Sequence, residues 1–425
     1  MLRFIQLLVF IALLGNSAFA TQRLIVRDTL GEVVLNSTCF LLGCNIIEGL
    51  GDPEGQVFLV GVPDAINLPA FVQQLLSANG IADAEADILG SLLQSTPAAP
   101  PSLYDSTPVL YYGTTVWEGY VTQPAAGIIG ISNAQSNFGV SGAGIVAVID
   151  TGVDPNQPVL QPVLVPGYDF TRNTPGGSEM ADVNPAAPPA LTLPPDFVNS
   201  YATANVDEST VSVVDNNQYC GFAHGTMVSG VIHLVAPQAQ IMPLKAFQAN
   251  GTGYNSDIIR AIYWGVLHGA RVINMSFSAP QPSLEQSLAL NFATSNGVIL
   301  VAAAGNSSSS APVYPAAYGN VIGVASTDNN DVQSTFSNYG PWVSLAAPGE
   351  GIVTTYPWAT WAAAWGTSFS TPFVSGTVSL MLQMRRSLTQ SQAAWALDNA
   401  QPAGPNLGHG RLAIAPALQA VYSMY

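Results

Sequence analysis

From about residue 120 onward, short continuous apolar runs alternate with longer segments of helical period, and few architectures accept that alternation. Residues 145–149 (Ile-Val-Ala-Val-Ile) form an unbroken apolar run, as expected of a strand buried on both faces. A helix over 225–234, a strand over 240–244, a helix over 256–268, a strand over 272–275 and a helix over 283–295 follow. Strands are then expected at 298–302, 321–325 and 343–346, a helix after Ser368, and a last helix at 389–399. Such a series predicts an α/β fold with a doubly wound, mainly parallel sheet and right-handed crossovers. Sites in open sheets of this kind lie beyond the carboxyl ends of the strands. Asp150, the segment around Ser276, and Asn306 all fall at such ends.

The first 120 residues read differently. Residues 1–20 have a basic start at Arg3, an apolar run over 4–14 and an Ala18-Phe19-Ala20 ending, the pattern of a secretory signal cut before Thr21. An uncleaved anchor is the competing reading, and no later apolar run is long enough to span a bilayer. Residues 21–100 read as a small α+β module: a hairpin around Asp28–Gly31, a strand over 56–62, a helix over 68–78 and a second helix over 82–92. Pro, Ser and Ala dominate residues 95–108, and 101–120 is taken as a linker carrying a processing site, with the main domain over 121–425. A Pro-rich, weakly periodic stretch over 155–200 is read as a surface insertion.

Charge excludes some functions. With 10 Lys and Arg against 26 Asp and Glu, the net charge is −16, and the chain has no electrostatic footprint for nucleic acid. Three cysteines and four histidines show no metal-ligand spacing. Cys39 and Cys44 are close enough to bridge a loop in an oxidising compartment. Cys220, four residues before His224, lacks the neighbouring base and orienting group that a thiol nucleophile needs.

Ser368 stands in Gly366-Thr367-Ser368-Phe369-Ser370-Thr371-Pro372, a small-residue turn that runs into an apolar helix. At a helix N-terminus its backbone N–H has no helical partner and the dipole favours developing negative charge, which suits a nucleophile; a plain N-capping serine is the alternative. Asp150 directly follows a buried strand, where a carboxylate needs a partner. His224, in Ala223-His224-Gly225-Thr226, is the best-placed general base; His233, His268 and His409 sit within helices, at a helix end or in a glycine turn. The side-chain amide of Asn306 is suited to donating to an oxyanion.

Order and local context together carry more than each residue alone. The segments AVIDTGVD (147–154), AHGTMVSG (223–230), INMSF (273–277), AAAGN (302–306), GTSFSTP (366–372) and GHGRL (408–412) resemble the subtilisin-like serine proteases over roughly residues 120–420. That resemblance implies a serine endopeptidase with Asp150, His224 and Ser368 as its triad and Asn306 in the oxyanion hole. It implies substrate contacts at Ser276, Phe277, Ser278, Ala303, Gly305 and Tyr314. It further implies that residues 21–100 are a propeptide acting as an intramolecular inhibitor, removed by a cut near residues 110–125, and that the secreted or periplasmic enzyme is a monomer acting on proteins or peptides.

Several positions depart from the family pattern. Ser278 and Ala279 stand where a glycine pair is usual, Met227 replaces a second histidine, and Phe369 and Ser370 replace Met and Ala. The segment 231–244 is too short for the loop that carries a strong calcium site in relatives, so no cofactor and weak or no calcium dependence are expected. The altered edge at Ser278 motivates one rival, a catalytically silent or permanently self-inhibited binding protein on the same fold. An esterase would require a G-x-S-x-G elbow and a Ser…Asp…His order, and the chain has neither at Ser368.

Overall fold

The computed structural model describes residues 22–64, 66–87, 89–90, 99–183, 202–205 and 221–424. The expected signal segment, Cys220 and residues 184–200 lie outside them. The chain divides into two compact units, one ending at Asp87 and one beginning at Ile88.

In the first unit, four antiparallel strands lie in the order Asn45–Gly49, Val57–Val62, Gln22–Asp28, Ile81–Ala86, with helices at Glu32–Leu42 and Leu68–Leu76. Two expectations fail here. The hairpin around Asp28–Gly31 is instead a strand followed by a helix, because both edges of Gln22–Asp28 are taken, by Val57–Val62 and by Ile81–Ala86. Burial of Leu35 and Cys39, four residues apart, while Val33, Phe40 and Leu41 are exposed, is the period of a helix. Of residues 82–92, read as a helix, those at 82–86 instead belong to an edge strand; pairing overrides local propensity. Cys39 and Cys44 are joined in a disulfide at the end of the first helix.

The second unit carries an eight-stranded sheet. Its strands are β1 (Ile145–Asp150), β2 (Gly167–Asp169), β3 (Thr174–Gly176), β4 (Gln240–Lys245), β5 (Ala270–Met275), β6 (Ile299–Ala303), β7 (Ile322–Thr327) and β8 (Leu345–Pro348), in the spatial order β3-β2-β4-β1-β5-β6-β7-β8. All neighbours are parallel except the edge pair β2–β3. Val146, Val148, Val272, Val301 and Val324 share a core with helices α1 (His224–Val235) and α4 (Thr367–Met384). The alternating Ala147, Ile149, Ile273 and Leu300 are equally buried on the other face. There α2 (Asn255–Leu267) comes so close at Gly265 that a Cβ would meet the side chains of Leu244 and Ala147 at 3.2 and 3.5 Å. Helix α3 (Leu284–Ser295) packs beside α2. Helices at Pro124–Ile129, Ile131–Phe138, Gln390–Leu397 and Ile414–Tyr422 and an antiparallel three-stranded sheet, which the sequence reading did not foresee, of Ala202–Asn205, Thr360–Trp365 and Ile352–Tyr356 also belong to the unit. The doubly wound reading therefore holds.

Two segments are more structured than their composition suggests. Residues 101–120, read as a linker, form a 3-10 turn, a hairpin (Pro108–Tyr111 with Thr114–Trp117) and the start of a helix. The Tyr111 hydroxyl donates to the Leu234 carbonyl at 2.6 Å and the Tyr120 hydroxyl to the Gly230 carbonyl at 2.7 Å, both on α1. The first half of the 155–200 stretch is not a surface loop: it supplies β2 and β3 and buries Asp169 and Glu179. Pro-rich composition hid these short strands; Pro175 itself lies in the edge strand β3, where a missing N–H is tolerated. Among the described residues, no helix is long and apolar enough to cross a membrane.

Candidate active site

Asp150 is the last residue of β1 and is 3% exposed, so its carboxylate requires partners in the protein. It has them. The Thr151 N–H donates to Oδ1 at 2.7 Å, and His224 Nδ1 lies 2.7 Å from Oδ1 and 2.9 Å from Oδ2. An ionised carboxylate only accepts, so the imidazole proton sits on Nδ1 and Nε2 becomes the basic nitrogen. His224 opens α1, and the approach that brings it to Asp150 is possible only because Gly225 has no side chain. A Cβ at Gly225 would lie 2.0 Å from the Gly152 carbonyl oxygen.

Ser368 is the second residue of α4 and is 1% exposed. Gly366 precedes the helix at φ 140°, a backbone angle that L side chains rarely adopt. Inside the helix, Pro372 has no N–H to give to the carbonyl four residues back, which belongs to Ser368. The Ser276 hydroxyl donates to that carbonyl instead, at 2.9 Å. Ser276 Oγ is itself held by the Asn274 amide at 2.9 Å, and Ser375 Oγ donates to Asn274 Oδ1 at 2.8 Å. A buried polar chain thus fixes the backbone of the candidate nucleophile. The Ser368 hydroxyl donates to the Ser276 carbonyl at 3.0 Å, and the ring of the next residue, Phe369, lies 5.5 Å from the His224 ring.

Asn306 approaches from the end of β6. Its Oδ1 accepts from Thr367 N at 2.8 Å and Thr367 Oγ1 at 2.9 Å, while Gly305 N donates to the same Thr367 hydroxyl at 3.1 Å. With its oxygen turned to Thr367, the amide presents its nitrogen as the donor end, one residue along the chain from Ser368.

Of the other expected site residues, Ser276 and Phe277 are buried, and Phe277 packs 4.9 Å from Phe247. Ser278 lies against Gly305, where a Cβ would fall 3.2 Å from Ser278 Oγ and 2.7 Å from Asn338 Nδ2. Ala279 and Tyr314 exchange backbone hydrogen bonds of 2.7 and 2.8 Å, which ties the segment after Ser278 to the Tyr314 loop. Ala303, the last residue of β6, is 2% exposed. Sequence reading missed the Thr367 clamp on Asn306, the Asn274–Ser375 support, the Glu179 carboxyl beside Thr151 and Thr226, and a strand Gly253–Tyr254 paired antiparallel with Leu89–Gly90. The small-residue run Gly251-Thr252-Gly253 was the signal for the last of these.

The family model for subtilases matches residues 142–411. The chain belongs to the subtilase family. It is a serine-type endopeptidase by that membership, and its substrates are proteins or peptides. Thermitase of Thermoactinomyces vulgaris is 34% identical over 59% of this chain and 78% of its own length. M-protease of Shouchella clausii is 29% identical over 88% of this chain and 94% of its own. Fervidolysin from Fervidobacterium pennivorans superposes with a TM-score of 0.71 at 21% identity, over 95% of this chain and 62% of that structure. This likeness is one of fold.

Proposed function

We propose that this subtilase is an exported endopeptidase made as a zymogen, with Asp150, His224 and Ser368 as its catalytic triad. The observation that carries the reading is the buried Asp150–His224 pair at 2.7 Å beside the helix start that bears Ser368. Substrate binding turns the Ser368 hydroxyl from the Ser276 carbonyl to His224 Nε2, which takes the proton as Oγ attacks the scissile carbonyl. The proton then passes to the leaving amine, and water hydrolyses the acyl-enzyme by the reverse sequence. Asp150 stabilises the imidazolium and holds the tautomer. The Asn306 amide and the Ser368 N–H take the oxyanion; such a donor contributes about 3–4 kcal/mol of barrier lowering, a magnitude measured in subtilisin itself. The backbone at Ser276–Ser278 and at Gly253–Tyr254 forms the edges that receive an extended peptide.

Residues 21 to about 90 act as propeptide and intramolecular inhibitor. The antiparallel pairing of Leu89–Gly90 with Gly253–Tyr254 supports this, since it lays an extended segment of the chain along one of those edges. We place the processing bond upstream of Pro101 rather than near 110–125. Cutting at the latter would break the hairpin and the helix start that bond to α1 through Tyr111 and Tyr120. Export rests on the N-terminal pattern of Arg3, the apolar run and Ala18-Phe19-Ala20. N-terminal sequencing of the secreted protein tests the reading. A start between residues 91 and 101, accompanied by peptide turnover, supports it. A precursor that begins at Thr21, never shortens and turns over no peptide refutes it in favour of a silent binding protein.

A further inference from the structure

We propose that Glu179 is a positioning residue for catalysis: its buried carboxyl clips the turn that carries Asp150 to the turn that carries His224. The inference rests on the triad reading. Glu179 is fully buried, on the segment that follows β3. Its Oε2 accepts from Thr151 Oγ1 at 3.0 Å and from Ala223 N at 3.0 Å, and its Oε1 accepts from Thr226 Oγ1. These donors flank the two catalytic groups. Thr151 follows Asp150 and gives it an N–H; Ala223 precedes His224, and Thr226 lies two residues after it.

The two hydroxyls extend the clip. Thr151 Oγ1 also accepts from Gly225 N at 3.0 Å, and Thr226 Oγ1 accepts from Asp154 N at 2.8 Å. The strand-end loop 150–154 and the helix start 223–226 are therefore stitched together through one side chain from a third segment. Backbone packing leaves that segment little slack: a Cβ at Gly152 would lie 2.7 Å from Glu179 N and 2.8 Å from the Gly177 carbonyl oxygen. A displacement of the Glu179 carboxyl must move Asp150, His224 or both, and catalysis is sensitive to such shifts.

A solvent-exposed glutamate could not do this, and a buried one is costly. Lys245 lies near enough to act on Glu179 by charge, but its ammonium donates to Asp182 Oδ2 at 2.7 Å and to the carbonyls of Thr151 and Phe247. Burial pushes the Glu179 pKa up to about 8 and the Asp150 charge adds to the rise, while the hydrogen bonds from Thr226 and Thr151 and the Lys245 charge oppose it.

The test compares wild type with Glu179→Gln and Glu179→Asp, each checked for cooperative melting. The readouts are kcat, KM and the rate of inactivation by a serine-directed phosphonate. The assays are run at about pH 9, above the Glu179 pKa of about 8, where the wild-type carboxylate only accepts; the Gln amide keeps the shape but turns an NH2 toward one of the donors. We expect kcat and the inactivation rate to fall at least about tenfold, equivalent to ~1.4 kcal/mol of barrier, with KM little changed and partial recovery in Glu179→Asp. Wild-type kcat and inactivation rate in a folded Gln variant, even one with a lower melting temperature, would overturn the proposal and leave Glu179 a support of the fold. If the Gln variant does not fold, Thr226→Val against Thr226→Ser decides. A drop in kcat for Val alone supports the clip; equal kcat overturns it. Failure of the phosphonate to react with wild type would instead refute the triad.

Discussion

Removing the Ser276 hydroxyl breaks two bonds at once. The Ser368 carbonyl loses its donor, and the Asn274 amide loses its acceptor. Both groups are buried, and an orphaned buried polar group costs about 1–3 kcal/mol, so Ser276→Ala should destabilise the protein by roughly 2–6 kcal/mol in total. The cause of this dependence is local. Pro372 cannot supply the helical N–H that would otherwise satisfy Ser368, so Pro372→Ala restores a donor at the position the helix geometry requires. The two substitutions should therefore be coupled: in the double variant, the loss caused by Ser276→Ala should shrink by about 1 kcal/mol. Urea denaturation in a Ser368→Ala background measures this without self-digestion and leaves the carbonyl in place. Additive effects, within about 0.3–0.5 kcal/mol, would refute the account of why Ser276 is needed.

Three further outcomes follow from particular contacts. Gly225→Ala should reduce kcat at least about 100-fold, because its Cβ meets the Gly152 carbonyl oxygen at 2.0 Å and must push the His224 turn away from Asp150; a variant with normal kcat would contradict the packing. Burial lowers the His233 pKa from 6.5 to about 4, so the unfolded chain binds a proton that the folded one refuses as pH falls from 6.5 to 4. Stability should drop across that window by about 3 kcal/mol on this account, and His233→Gln should flatten the slope; an unchanged slope would remove His233 as its source. On the expectation that the short 231–244 segment carries no strong calcium site, treatment with a chelator should leave activity within about twofold; a collapse reversed by added calcium would contradict this.

The strands β1 and β4 to β8 and the helices between them were legible because their signals are local, whereas the strands within 155–183 and those at Ile352–Tyr356 and Thr360–Trp365 were not. Buried parallel strands such as β1 and β6 are short continuous apolar runs, and the helices between them are longer segments that length separates from strands. The candidate catalytic groups were legible because Asp150, His224, Asn306 and Ser368 each sit at an element end with a distinctive flank. What failed depended on distant partners. Residues 81–86 have helical composition and became a strand because the edge of Gln22–Asp28 was open to them. Residues 32–42 became a helix because that strand had no edge left. Glu179 was invisible within a Pro-rich stretch, since nothing in its neighbours announces that its carboxyl meets Thr151, Ala223 and Thr226. The clamp of Thr367 on Asn306 likewise joins residues 61 positions apart.

The central claim is that the hydroxyl of Ser368 is made nucleophilic by the imidazole of His224. Reaction with a peptidyl phosphonate, followed by mass mapping of the adduct, tests it most directly. The account predicts a stoichiometric adduct on Ser368 in the wild type, none in Ser368→Ala, and formation slowed by at least about 10³-fold in folded His224→Ala. An adduct on another residue, or one that forms on Ser368 at the same rate without His224, would contradict it.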